Sequence, residues 1–240
     1  MAVYVTGDTH GDQVLLDAYV LPLLKRGDIL IILGDFGVGF WGGRYWSEET
    51  LYDYLAEQPY TVCFVDGNHE NFHKLNAYPV SDWHGGRVHQ LRHNVIHLMR
   101  GEIFTIDSKT YFTFGGGYSF DKANRTDGFD WWNEEMPCQQ EYEHARENLQ
   151  RYHNRVDYIL THTAPRQTVE YMCTMRLGIK GDVSEEWELN LFLDAVQQDV
   201  SYDKWYFGHF HADRELWRGQ YAVLHAVREI HSGDIIKYRI

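Results

Sequence analysis

The feature of this sequence that most constrains its fold is a short apolar run that ends abruptly in glycine and polar residues. In residues 61–65, β-branched and aromatic side chains predict a strand, and residues 66–70 that follow read Asp-Gly-Asn-His-Glu. A strand that ends in this way places polar groups in a loop at the edge of a sheet. We expect five such loops to meet at one edge of the fold, because similar runs occur at residues 2–5, 28–33, 156–160 and 205–207.

The segments between the first three runs predict helices. Residues 13–26 carry apolar side chains at helical spacing, with Pro22 as a kink or an early end. Residues 47–58 open with Ser47 as an N-cap and acidic residues in the first turn. Alternating strands and helices predict parallel strands joined by crossover helices, and near-continuous apolar runs fit strands that are buried on both faces.

The middle of the chain has a different character. Shorter alternating runs between residues 87 and 114 predict antiparallel strands, with a tight turn at residues 107–109. A polar and aromatic loop over residues 118–137 precedes a predicted helix over residues 139–152.

The remainder of the chain returns to the first pattern. A helix is predicted over residues 184–198, with Ser184 as its cap and Glu185 and Glu186 as solvated acids of its first turn. Antiparallel runs follow, among them residues 221–226 and 235–240. Since the chain shows no linker, repeat or low-complexity tract, we predict one domain over residues 1–240.

Composition argues against several classes of protein. The formal net charge of −13 disfavours non-specific binding to nucleic acid, although it leaves room for a local positive site. The three cysteines form no CxxC pair, which argues against a disulfide framework and a thiolate zinc site. No apolar run is long enough to span a bilayer and no signal segment is evident, so we expect a cytoplasmic protein without a membrane partner.

The 14 histidines are many for this length, and several follow the predicted strands. Together with carboxylates and one carboxamide they form a set of oxygen and imidazole donors that suits divalent ions such as Mn²⁺, Fe²⁺, Zn²⁺, Co²⁺ or Ni²⁺. His69 left aside, the donors at the strand ends are Asp8, His10, Asp35, Asn68, His162, His209 and His211.

Seven donors are too many for one ion of four or six ligands, but they suit two ions that share a ligand. Asp35 stands alone in its loop and is the natural bridge, because a carboxylate has two oxygens. Two ions about 3.5–4 Å apart can hold a phosphate and lower the pKa of water to about 7, so that a bridging hydroxide becomes the nucleophile.

Taken in order, the loops read Gly-Asp-x-His-Gly, Gly-Asp-x-Gly, Gly-Asn-His-Glu, a strand-ending histidine, and Gly-His-x-His, over residues 7–211. This ordered set resembles the calcineurin-like metallophosphoesterase superfamily. The loop at residues 115–135 is similar to one in small bacterial and phage members. The resemblance implies an α/β fold, a four-layer αββα sandwich of two mixed sheets flanked by helices, with the metal site at the carboxyl ends of the strands.

The resemblance also implies roles for individual residues. One ion would be held by Asp8, His10, Asp35 and His211, and the other by Asp35, Asn68, His162 and His209. His69 would stabilise charge on the phosphate and protonate the leaving oxygen, a contribution typically worth 10²–10⁴-fold in rate. Glu70 would orient His69 or a neighbouring backbone segment. The implied cofactor is a pair of divalent ions, with Mn²⁺ expected first and Fe, Zn, Co or Ni as alternatives.

The expected reaction is hydrolysis of a phosphomonoester or phosphodiester in a small substrate. Protein Ser/Thr phosphatases of the superfamily carry an Asp-Arg pair after the second motif, and its absence at residues 34–39 disfavours that branch. Arg44 and Arg125 are candidates to bind the phosphate, together with Asn68. Arg125 could equally pair with Asp121.

Two alternatives stay open. One is a nuclease acting on single-stranded or damaged nucleic acid, which the net charge disfavours, and the other is a non-catalytic interaction scaffold, which the presence of His69 disfavours. For Trp131 and Trp132, packing under the loop is favoured over stacking on substrate. The histidines outside the motifs are predicted to be surface or half-buried residues, and the sequence predicts no oligomeric state.

Overall fold

A computed structural model describes residues 1–40, 48–178 and 182–239 of the chain. Its strands are β1 (Val3–Thr6), β2 (Ile29–Leu33), β3 (Thr61–Val65), β4 (Val80–Trp83), β5 (Gly86–Arg92), β6 (Val95–Leu98), β7 (Ile103–Ile106), β8 (Lys109–Phe114), β9 (Tyr158–Thr161), β10 (Lys204–Phe207), β11 (Arg214–Glu215), β12 (Gln220–Ala222), β13 (Ala226–Glu229) and β14 (Ile235–Tyr238). Its α-helices are α1 (Gln13–Leu15), α2 (Glu48–Ala56), α3 (Phe72–Leu75), α4 (Gln139–Arg151), α5 (Arg166–Thr174) and α6 (Trp187–Asp199).

The strands form two mixed sheets. The larger has the order β14-β13-β1-β2-β3-β6-β5-β4, and the smaller has the order β11-β12-β10-β9-β8-β7. The centre of each sheet is parallel: β1, β2, β3 and β6 in the first, and β8, β9, β10 and β12 in the second. Antiparallel strands lie at both edges of each sheet.

Side chains alternate between the two faces of each sheet, and this alternation builds the layers. In β2, Leu30 and Ile32 pack under α2 and the segment before β2, while Ile31 and Leu33 face the second sheet. The second sheet covers its outer face with α4, α5 and α6 around a third apolar cluster that includes Phe192. The result is two sheets packed face to face with helices outside, an α/β sandwich as predicted.

Several elements agree closely with the sequence-based predictions. β3 spans the predicted residues 61–65, and α4 spans all but the last residue of its predicted range. β7 and β8 form the predicted hairpin, whose two-residue turn holds Asp107 and Ser108 at φ angles of 50° and 63°. Apolar continuity identified β3 because both of its faces are buried, whereas alternation and the turn identified β7 and β8.

Other elements differ from the predictions. Residues 13–26 do not form one helix: α1 continues as a π-helical turn over Leu16–Val20 and a 3-10 turn over Leu21–Leu23. Pro22 explains the break, since its ring would clash with a carbonyl one turn earlier in a regular α-helix. The predicted antiparallel run 221–226 divides between β12, which lies parallel to β10, and β13.

Four short or amphipathic elements were not predicted at all, namely α3, β4, α5 and β11. Ser47, the predicted cap of α2, lies outside the described residues. Among the helices that the structure describes, none combines the length and the apolar character that a bilayer span requires.

Candidate metal centre

The predicted donors converge because they follow parallel strands of both sheets. Asp8, Asp35 and Asn68 come after β1, β2 and β3 of the first sheet, while His162 and His209 come after β9 and β10 of the second. Backbone bonds join the loops: the N–H of His209 donates to Asp8 Oδ1 at 3.1 Å, and the N–H of His10 donates to the carbonyl of Asp35 at 2.7 Å. The site is therefore assembled across the junction of the two sheets.

Asp8, His10 and His211 form the first group, with one ligand atom of each lying within 4.8 Å of the others. His211 Nε2 lies 3.2 Å from Asp8 Oδ2, yet Asp8 Oδ2 is buried and accepts no hydrogen bond. Asp8 Oδ2 and His211 Nε2 are thus close together but are not joined by a hydrogen bond. This arrangement suits two ligands of one cation.

Asp35 faces a different partner with each of its oxygens. Its Oδ2 lies 3.9 Å from His10 Nδ1 and 3.3 Å from His69 Nδ1. Its Oδ1 lies 3.4 Å from His162 Nε2, which in turn is 3.1 Å from Asn68 Oδ1. One carboxylate thus separates a group around His10 from a group around His162, which is the geometry a bridging ligand needs.

His69 lies within the group around His10 and Asp35, although a proton donor to the leaving group need not lie among the metal ligands. Together with His10 and Asp35 it forms a second set whose ligand atoms are mutually within 4.8 Å. Phe40 stacks on its ring at 4.6 Å, and Arg125 Nη2 lies 2.7 Å from its Nε2. Since a guanidinium can only donate, Nε2 accepts this bond and the ring is neutral in this arrangement.

Burial and neighbouring charges shift the pKa values of Asp35 and His69. Burial alone would raise the pKa of Asp35, but the imidazoles of His69, His162 and His10 outweigh burial and lower it well below the usual range of a carboxyl. Burial lowers the pKa of His69 to about 4, Asp35 opposes this effect, and His10 and Arg125 add to it. At neutral pH the group thus holds a charged Asp35 and a neutral His69.

Four of the predicted ligands have left-handed backbone conformations, which non-glycine residues rarely adopt. The φ angles are 50° at His10, 49° at Asp35, 64° at His209 and 50° at His211. Conformational strain of this kind concentrates at functional sites, where the surrounding structure enforces it. Here the strain falls on residues that the motifs had already identified.

Two glycines give the donors room. A Cβ on Gly67 would lie 2.1 Å from Asp35 Oδ1, and a Cβ on Gly34 would lie 2.0 Å from His162 Nδ1. Both separations are far below van der Waals contact, so any other residue would displace a donor.

Glu70 binds backbone rather than His69. It is fully buried, and it accepts N–H bonds from Phe36, Gly37 and Val38, at 2.8, 3.0 and 2.5 Å. Burial and the nearby Asp35 raise its pKa well above the ordinary value, while the backbone bonds oppose that shift. Glu70 therefore holds the loop that carries Asp35.

The predicted phosphate-binding residues have separate outcomes. Arg44 lies outside the described residues. Arg125 pairs with Asp121, with Nε 2.6 Å from Oδ1, and also reaches His69, so it lies beside the group of donors. Asn68 donates through Nδ2 to Ser119 at 3.1 Å, which leaves its oxygen directed toward His162.

The loop tryptophans do not lie together. Trp132 is 2% exposed and packs near Phe40, whereas Trp131 is half-buried with the Lys122 ammonium 4.1 Å from its ring centre.

Sequence reasoning missed Glu186. The predicted solvated acid of a helix start is fully buried, and its Oε1 lies 3.2 Å from His209 Nε2. No motif marks it, because it comes from a helical start far from the strand ends in sequence. Only the fold brings it to the site.

Sequence reasoning also missed a buried pair behind the site. His89 and His97, predicted to be surface or half-buried, are 5% and 4% exposed, and their Nδ1 atoms are 3.0 Å apart. His97 Nε2 lies 3.0 Å from Asp66 Oδ1, and Arg100 donates twice to Asp66 Oδ2. This network anchors the start of the loop that carries Asn68.

The residues present fit divalent cations. Asp8 Oδ2 and His209 Nε2 are buried polar atoms without a hydrogen-bond partner, and both lie among carboxylate and imidazole donors. Buried polar atoms are rarely left in this state unless a ligand satisfies them. A set of oxygen and imidazole donors without thiolates suits first-row divalent metals.

Comparison with known proteins agrees with this geometry. The family model described as calcineurin-like phosphoesterase matches residues 1–213. A search of curated proteins found no match to the chain. Because the match covers most of the sequence and includes every loop that supplies a donor, this chain belongs to the calcineurin-like phosphoesterase family.

Proposed function

We propose that the protein hydrolyses a phosphomonoester or phosphodiester with two divalent ions, and that it is of the small bacterial and phage type within the family. The observation that carries this proposal is Asp35, whose two oxygens face two different groups of donors. Asp8, His10, Asp35 and His211 would hold one ion, and Asp35, Asn68, His162 and His209 the other. We propose Mn²⁺ as the native metal, with Fe, Zn, Co or Ni as alternatives.

When bound, such a pair of ions supplies charge for the phosphate and an activated water. The chain contributes the positions of the reacting groups. Asp35 keeps the two groups apart, and the hydrogen bonds that the backbone N–H groups of residues 36–38 donate to Glu70 hold the loop that carries Asp35.

His69 and Arg125 form the side of the site that would meet the leaving group. We propose that the phosphate of the substrate takes over the guanidinium of Arg125, which releases Nε2 of His69. His69 can then take up a proton from solvent at Nε2 and deliver it to the leaving oxygen. A group with this role typically contributes 10²–10⁴-fold to the rate.

The test is hydrolysis of an aryl phosphate monoester and an aryl phosphate diester by the purified protein, first without metal and then with each candidate metal. We expect activity only with metal, and Asp35→Asn should lose both the second ion and activity, because the bridge has lost its charge. Metal content is measured separately from activity by elemental analysis.

His69→Ala separates chemistry from metal binding. We expect both ions to remain bound and kcat to fall by about 10²-fold or more on a substrate with a poor leaving group. A good leaving group needs no proton, so its kcat should fall less. An equal loss on both substrates, or loss of an ion, would contradict the assignment of His69 as the acid.

A further inference from the structure

Glu186 is a buried carboxylate at the second group of donors that no motif predicts. It is fully buried, whereas its neighbour Glu185 is exposed. Burying a charged carboxylate is costly unless an opposite charge or a metal compensates it. Among the described residues, the one basic side chain within ion-pair distance of Glu186 is His209.

The contact between Glu186 and His209 is not a hydrogen bond. Glu186 Oε1 lies 3.2 Å from His209 Nε2, but Nε2 is buried and has no hydrogen-bond partner. Glu186 Oε1 and His209 Nε2 are therefore close together, but they are not aligned for a hydrogen bond. Two donor atoms that bind one ion at about 2.1 Å lie about 3.0–3.4 Å apart, along the edges of an octahedron or a tetrahedron.

A pair of motif residues shows the same arrangement. Asp8 Oδ2 lies 3.2 Å from His211 Nε2, and Asp8 Oδ2 is likewise buried without a hydrogen bond. The motifs predict both of these residues as ligands of one ion. Glu186 and His209 reproduce the separation and the missing bond on the other side of the site.

Glu186 has a free lone pair for such an ion. Its Oε2 accepts from Thr163 Oγ1 at 2.7 Å and from Asn190 Nδ2 at 3.1 Å. Its Oε1 accepts one bond, from the N–H of Tyr118 at 3.0 Å. A carboxylate oxygen has two lone pairs, so one on Oε1 stays available.

The position of Oε1 also fits the second group. A Cβ built on Gly117 would lie 3.4 Å from Glu186 Oε1 and 3.4 Å from Asn68 Oδ1, and 2.9 Å from the ring of His162. Oxygens of Glu186 and Asn68 and the imidazole of His162 thus surround one small space. Glycine at position 117 leaves that space open.

We infer that Glu186 is an additional ligand of the second metal ion, alongside Asp35, Asn68, His162 and His209. The inference rests on the proposed function, since it requires a second ion at this place. It adds one negative charge to that ion alone, which makes the two metal positions unequal. The second position then binds its ion more tightly than the motif residues would on their own.

The test compares Glu186→Gln with Glu185→Gln, which removes the same charge from an exposed neighbour. Glutamine keeps the size of Glu186 and an oxygen acceptor, so the fold should survive, as circular dichroism and thermal unfolding can check. Mn²⁺ is titrated by calorimetry into chelator-treated protein. We expect two sites in the wild type and in Glu185→Gln, and at least about 10-fold weaker binding at one site in Glu186→Gln.

Co²⁺ distinguishes a ligand from a residue that only orients His209. The visible spectrum of Co²⁺ depends on its ligands, so the spectrum should change in Glu186→Gln and stay unchanged in Glu185→Gln. Weaker binding with an unchanged spectrum would overturn direct ligation, as would Mn²⁺ binding within twofold of the wild type. If Glu186→Gln fails to fold, Glu186→Asp shortens the reach by one methylene and should weaken the same site.

The proposed function fails separately from this inference. A wild type that binds one ion, or none, contradicts the two-metal proposal. A wild type that binds two ions, with Glu186→Gln binding both equally well, contradicts only the role of Glu186.

Discussion

Gly67 shows how little space separates Asp35, a proposed metal ligand, from its neighbours. Gly67 lies in the loop before Asn68, and its missing side chain leaves room for the carboxylate and the backbone nitrogen of Asp35. Gly67 has no left-handed φ, so its need for glycine is one of space and not of backbone conformation.

Replacing Gly67 with alanine should therefore displace Asp35. We expect Gly67→Ala to lower the stability of the metal-free protein by about 1–3 kcal/mol, the range for overpacking, and to weaken metal binding. Urea unfolding and Mn²⁺ titration measure the two effects. Gly85→Ala is the control. Position 85 has open space around it but a φ of 92°, so the variant should lose about 1–2 kcal/mol of stability and leave metal binding unchanged. Normal Mn²⁺ binding by Gly67→Ala would show that the loop can move aside.

Residue types and spacing predicted the seven donors, because motif residues must follow the strands that place them, and the family resemblance implied the role of His69. They could not predict Glu186, since a Glu-Glu pair at a helix start is usually a solvated feature. Nor could they predict that Glu70 binds the backbone of residues 36–38, because that contact depends on how two loops pack.

At the scale of elements, the β7–β8 hairpin shows where local sequence determined structure. Ile106 pairs with Lys109, so Asp107 and Ser108 form a two-residue turn with positive φ at both positions. Turns of this type favour Asp-Gly or Asn-Gly, because glycine adopts positive φ without steric cost. The chain has the preferred aspartate but carries serine where glycine is best.

Ser108→Gly should accordingly stabilise the protein. We expect a gain of about 0.5–1 kcal/mol in the free energy of unfolding, because the strain at Ser108 is relieved. The midpoint of urea unfolding measures this gain, and Mn²⁺ binding serves as the control, since the hairpin lies away from the donors. A variant less stable than the wild type would show that the Ser108 side chain stabilises the protein by more than its strained backbone costs.

The elements that escaped prediction share one property: their form depends on neighbours and not on local pattern. The apolar spacing of residues 13–26 predicts a helix, but packing around Pro22 divides the segment into α, π and 3-10 turns. The edge strand β4 alternates between exposed and half-buried positions, so it lacks the apolar run that marks a central strand.

At the scale of the whole molecule, buried histidines outside the metal centre link stability to pH. Burial lowers the pKa of His89 to about 4, and the neighbouring His97 adds to the effect. The unfolded chain protonates this residue near its ordinary pKa of about 6.5, whereas the folded protein resists protonation until about pH 4. His89 therefore favours folding above pH 6.5, and this contribution is lost as the pH falls toward 4.

His89→Gln should flatten that part of the pH profile. One unit of pKa shift corresponds to about 1.4 kcal/mol, so the wild type should lose about 2–3 kcal/mol more than the variant between pH 7 and pH 4. Urea unfolding of the metal-free proteins at several pH values measures the difference. His93→Gln, which changes an exposed histidine, should follow the wild type. Parallel profiles for the wild type and His89→Gln would contradict the assignment.

The arrangement of β1 has a consequence for the synthesis of the chain. Tyr4 of β1 pairs with Leu30 of β2 on one side and with Glu229 of β13 on the other. Arg239, buried beyond β14, donates to the carbonyl of Asp8 at 3.0 Å. The ribosome makes β1 long before it makes β13, so a nascent chain that ends before residue 226 carries an open sheet edge beside the loop of Asp8 and His10. Such an edge is a template for pairing with other chains, and translation leaves it uncovered until β13 has been made.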